Sequence, residues 1–119
     1  MQLFRLFLLT FFIVLTVYTG VVIAGHGIGL LPVFFGDIGA LAWPGQFNLD
    51  FLGFLMLSAI WVAWRHRFSA VGLGLAILAF FGGMAFLTIY LLVQTGRTNG
   101  DIPTLLVGPS RRSSDTVEA

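Results

Sequence analysis

Three ionisable side chains, His26, Asp37 and Asp50, stand between the first two strongly apolar stretches of this chain. An imidazole and two carboxylates are donors that suit a divalent metal. Their spacing matches no compact ligand pattern such as H-x-x-x-H, which places two ligands one helical turn apart. They are weak metal candidates, and each has a plainer role: His26 at a helix exit, Asp37 on a wet face, Asp50 supporting a helix start. A second cluster is Arg65-His66-Arg67. Arg65 and Arg67 could bind the phosphates of lipid headgroups, or simply set the topology of a turn. His66 titrates near neutrality and could act as a switch, although nothing bistable is visible beside it. The chain has no cysteine, so it has no thiolate nucleophile, no disulfide and no cysteine-based metal site. No nucleophile can be paired with a base. The expectation is a non-enzymatic protein without a resident cofactor.

The elements that must carry these residues follow from composition. Of 119 residues, 58% are hydrophobic and 9% charged, and the mean hydropathy is +0.99. A soluble domain carries about 25% charged residues. One of this size would leave about a third of its chain surface in water, and eleven charged side chains cannot cover it. The solvent for most of this chain is a bilayer. A net charge of +1, with six arginines and no lysine, offers no field for nucleic acid.

Residues 6–36 and 68–96 contain no Asp, Glu, Lys or Arg. A membrane-spanning helix needs about 20 apolar residues. The pattern predicts an all-α membrane protein with three transmembrane helices near 6–24, 48–64 and 69–94, making a domain over 1–96. The first is long for the apolar core of a signal peptide and is read as a retained anchor. Between the first two spans, Leu31, Phe34, Phe35, Ile38 and Leu41 share one helical face. They predict a short interfacial helix over 30–42, or a re-entrant segment. Asn48 and Asp50 are expected to cap the second span, Asn48 as the N-cap residue and Asp50 in the first turn. Gly72, Gly74, Gly82 and Gly83 are taken as glycines that a membrane helix tolerates. The tail, 97–119, is polar with turn signals at Asn99-Gly100, Pro103 and Pro109, and is expected to be flexible.

Small residues recur every fourth position at Thr16, Gly20 and Ala24, and again at Ala79 and Gly83. Such spacing lets membrane helices approach closely, so these five are the expected packing positions. Arg5, Arg65 and Arg67 against an arginine-free first loop predict a cytoplasmic N terminus. With three crossings the C terminus would then lie outside, although Arg97, Arg111 and Arg112 argue against that.

The run Phe47-Asn-Leu-Asp-Phe, the run from Trp61-Val-Ala-Trp to Arg65-His-Arg-Phe68, Tyr90-Leu-Leu-Val and Thr98-Asn-Gly-Asp101 resemble a group of small bacterial inner-membrane proteins of similar length. They form a domain-of-unknown-function family. The resemblance covers roughly residues 45–108. It implies a three-helix protein of the bacterial inner membrane and no particular activity. Together these readings lead to an accessory or packing subunit whose partners are the bilayer and other membrane subunits or further copies of itself. The competing readings are a small homo-oligomeric transporter or channel, using polar groups such as Thr10, Thr16 and Thr88, and a pigment- or quinone-binding accessory protein whose pocket the thirteen phenylalanines would line.

Overall fold

The structure is a computed structural model that describes residues 1–109. It is helical throughout, with no strand among the described residues. The helices are α1 (Gln2–His26), α2 (Leu30–Gly39), α3 (Trp43–Arg65), α4 (Ala70–Arg97) and α5 (Ile102–Val107). Three of them, α1, α3 and α4, are long and apolar enough to cross a membrane, and α2 is the short helix between the first two. This is a multi-pass membrane protein by its apolar helices.

α1 stops where Gly27 takes φ +76°, which a side chain would resist. α2 then starts, with Pro32 in its first turn, where a missing N–H costs nothing. α2 lies against the start of α3, and Gly45 is what permits it. A Cβ there would overlap the Asp37 carbonyl, so only hydrogen fits. α3 begins at Trp43-Pro44, five residues before the expected N-cap, with Ala42 extended and no side-chain cap.

α4 is not one rod. Gly83 sits inside it at φ +56°, ψ −138°, a conformation open to glycine and closed to side chains. The consequence is visible at His66. A Cβ on Gly72 would lie 2.6 Å from His66 Cβ, and the Tyr90 hydroxyl lies 2.7 Å from His66 Nε2. In a straight helix residues 72 and 90 would be about 27 Å apart, at about 1.5 Å per residue. α4 therefore folds back on itself at Gly83. Its two arms, 70–82 and 84–97, are each about 20 Å long, short of the roughly 30 Å of bilayer hydrocarbon. Gly83 at the apex rests on Phe51 and Leu55 of α3, with a Cβ there reaching 3.4 and 3.5 Å.

The core is the seam between α3 and the two arms. Val62 and Ala79 are wholly buried there with Tyr90, flanked by Leu75, Phe86 and Trp61. α1 joins through the second arm. Arg5 Nη1 donates to the Thr95 hydroxyl at 2.7 Å and to the Leu92 carbonyl at 3.2 Å. Gly100 lies against Met1. The chain's beginning, the end of α3, both ends of α4 and the segment after it thus meet at one end of the bundle. The hairpin returns α4 to its starting end, so the described segment after α4 lies at the same end as Met1; the C terminus, expected on the opposite side from the N terminus, lies outside the described residues.

Candidate functional site

The end of the bundle holds the chain's one buried charge among the described residues. Arg65 is 1% exposed although it closes a helix. Its Nε donates to the Leu105 carbonyl at 2.7 Å, and its Nη1 donates to the Tyr90 hydroxyl at 3.0 Å. The guanidinium carbon stands 5.5 Å from the centre of the Tyr90 ring. Nη2 is buried and has no hydrogen-bond partner. A buried charge normally acquires a counter-ion, and here no carboxylate is among the partners of Arg65.

Tyr90 is the hub. It stacks on Phe86 with centroids 5.6 Å apart and meets Trp61 edge-on at 6.1 Å. Its oxygen accepts from Arg65 and lies 2.7 Å from His66 Nε2, a hydrogen bond in which the tautomer of the ring decides which partner donates. Burial first, and then the charges of Arg65 and Arg97, hold His66 below its ordinary value. Burial and the Arg65 and Arg97 charges thus all disfavour the protonated ring.

The lid of this site is α5. Asp101 caps it, accepting from the Thr104 amide and hydroxyl, and Pro103 fits its first turn. Leu105 is buried, and Trp61 Nε1 donates to the Leu106 carbonyl at 2.9 Å. Gly108 follows at φ +90°, and a Cβ on it would overlap the Arg65 carbonyl. Residues 97–109 were expected to be flexible. In the structure the part after α4 lies on this end as a strap, with Trp61 and Arg65 offering side-chain donors to two consecutive carbonyls near its end. Residues 110–119 of that expected tail lie outside the described residues, as do Arg111 and Arg112.

The other expected positions are dispersed. Arg65 does not face headgroups as it stands, because α5 covers it; Arg67 is exposed at φ +59° in the turn. Asn48 does not cap α3. It lies inside the helix, and its Nδ2 donates to the Phe34 carbonyl of α2 at 3.1 Å. Asp50 is eight residues into α3 and exposed, beyond the free N–H groups of the first turn. His26 is exposed, Asp37 is half-buried, and among the described residues no three His, Cys, Asp or Glu side chains gather around a metal-sized position. Thr16, Gly20 and Ala24 are exposed, with open space around Gly20 among the described residues. Ala79 is wholly buried, and Gly83 lies on Phe51 and Leu55.

Tyr90, Leu105 and Gly108 are the site residues that sequence reasoning missed. Tyr90 carried a signal: it is one of only two tyrosines and lies inside an apolar run. Compared with known protein families, characterised proteins and solved structures, the chain matches none.

Proposed function

We propose that this protein is a non-enzymatic accessory subunit of the bacterial inner membrane, working by helix packing. One observation supports this reading above the rest. Beyond the apex of the hairpin α1 is exposed among the described residues. Phe11 shares a groove with Gly83, and every residue from 16 to 29 is exposed. That exposed half carries Thr16, Gly20 and Ala24 on one face. In lipid, apolar exposure alone drives no association, whereas a small-residue face gains contact by close packing on another helix. The occupant of that face is a helix of another subunit or of a second copy. The resemblance to small inner-membrane proteins points to the same setting.

The orientation belongs to this proposal. Arg5, Arg65, Arg67 and Arg97 share one end of the bundle, and the positive-inside rule assigns that end to the cytoplasm. The N terminus and the segment 98–108 then both lie inside, which removes the conflict between the early and late arginines.

The test is a pair of substitutions on adjacent positions of α1. Gly20→Leu fills the small-residue face and Val21→Leu does not. The proposal expects Gly20→Leu to lose a co-purifying subunit, or the homo-oligomer, on native gels after mild solubilisation, with Val21→Leu retaining it. Equal behaviour of the two variants would mean that the face meets only lipid.

A further inference from the structure

The unfilled side of Arg65 has a specific shape. Nε and Nη2 form one edge of the guanidinium, the edge that grips two oxygens of a phosphate or carboxylate side by side. In the structure Nε holds a single carbonyl oxygen, from Leu105, and Nη2 holds nothing. The other edge is committed through Nη1 to Tyr90. A neutral carbonyl therefore occupies half of a two-oxygen anion site, on a buried cation without a carboxylate partner.

We infer that the Nε/Nη2 edge of Arg65 is the binding site for the phosphate of an anionic phospholipid, and that α5 covers it as a displaceable stand-in. Position and charge single out a lipid. Arg65 ends a 23-residue apolar helix, next to Trp61 and Trp64, at the level where headgroup phosphates lie. Arg5, Arg67 and Arg97 share that end, a basic setting between membrane helices that favours anionic lipid.

The tail has a place as well. An apolar groove of about 660 Å³ runs along α3 and the hairpin, between Phe11, Phe51, Phe54, Trp61, Gly83 and Leu87. Trp61 closes its upper end, one helical turn before Arg65, and is itself bonded to the strap. From Phe51 to Trp61 the groove follows about 15 Å of helix, the reach of an acyl chain. Head site and tail groove thus meet at Trp61.

Two features of α5 bear on its replacement. It meets Arg65 and Trp61 through the neutral carbonyls of Leu105 and Leu106, beside the buried Leu105 side chain. Gly108, the residue that follows it, has a positive-φ backbone pressed on Arg65. When the strap lifts, Nε and Nη2 become free together, and a phosphate fills both with charge-assisted bonds while Nη1 stays on Tyr90. No bond is made or broken covalently; one acceptor replaces another.

Gly108→Ala is the natural probe, because its Cβ would overlap Arg65 in the docked strap and so disfavours docking without substituting Arg65. The full-length protein is purified in a neutral detergent and offered phosphatidylglycerol, phosphatidylcholine or inorganic phosphate, and bound molecules are counted by native mass spectrometry. The expected result is one retained phosphatidylglycerol in preference to phosphatidylcholine. Retention should rise about tenfold in Gly108→Ala, on the scale of one charge-assisted hydrogen bond. In the Gly108→Ala background, Arg65→Lys keeps the charge but loses the fork and should return retention to the phosphatidylcholine level. Equal retention of the two lipids by both the parent and Gly108→Ala overturns the proposal, whatever the fate of the Arg65 variant. A gain that survives Arg65→Lys overturns the assignment to Arg65. Inorganic phosphate competing at equal concentration with the lipid overturns the lipid as the source of the anion.

Discussion

Gly72 and Tyr90, eighteen positions apart on the two arms of α4, both rest against His66. That juxtaposition exists only because Gly83 reverses the chain between them. It bends α4, the third of the helices long and apolar enough to span a membrane, into a hairpin, and it brings the Tyr90 hydroxyl to the end of α3, beside Arg65 and His66. The site and the topology therefore depend on the same glycine.

Gly83→Ala should destabilise the protein by about 1–3 kcal/mol, since alanine must adopt a glycine-only backbone region. Gly74→Ala is the comparison. A Cβ at Gly74 meets open space within a helical arm, and alanine there should be neutral or stabilising by up to about 1 kcal/mol. Thermal unfolding in a fixed detergent measures both. Equal melting temperatures would mean that the chain does not reverse at Gly83.

The junction of α2 and α3 separates two readings of the same short sequence. Gly45→Ala places a methyl group on the Asp37 carbonyl and should cost about 1–3 kcal/mol by overpacking. Asn48→Ala removes the bond to Phe34 and should cost about 1 kcal/mol. Asp50→Asn should change nothing measurable, because Asp50 is exposed and past the first turn of α3. A larger loss at Asp50 than at Asn48 would restore Asp50 as the cap.

His66 sets a pH dependence with a definite sign. Its value in the folded chain is lowered from 6.5, by burial first and then by Arg65 and Arg97. The unfolded chain therefore binds the proton more readily than the folded one. Stability is full above 6.5 and is lost as pH falls from there toward the lowered folded value. The groups around the ring are Arg65, Tyr90 and Arg97, so a protonated His66 adds a cation beside two others. Melting temperature followed downward from about pH 7.5 should decline below about pH 6.5, and His66→Gln should flatten that decline. A decline unchanged in His66→Gln would assign it to the carboxylates.

The all-helical membrane class was legible from the two long uncharged runs and the scarcity of charge, and the short helix after the first span from the spacing of Leu31, Phe34, Phe35 and Ile38. The reversal was not read, because a helix that breaks inside an apolar run keeps its composition. The signal was there: 29 uncharged residues exceed one span, and a Gly82-Gly83 pair stands near the middle. Asn48 misled for a local reason, since an asparagine before an acidic residue satisfies the chemistry of a cap. Its true acceptor, the Phe34 carbonyl, lies on another helix. Arg65 was legible as a charge at a helix end. Its burial was not, because it depends on α5, and six residues with two near-neutral turn signals give no hint that Trp61 and Arg65 will hold them.

The hairpin and the arginines it gathers predict that the N terminus and the segment after α4 lie on the same side of the membrane, opposite the α2 loop. The most direct measurement uses single cysteines at Gln2, Gly39 and Asn99, labelled with an impermeant thiol reagent in intact spheroplasts and again after permeabilisation. The account predicts labelling at Gly39 before permeabilisation, and at Gln2 and Asn99 only after it. Labelling of Asn99 together with Gly39 in intact spheroplasts would show a third crossing and contradict the hairpin.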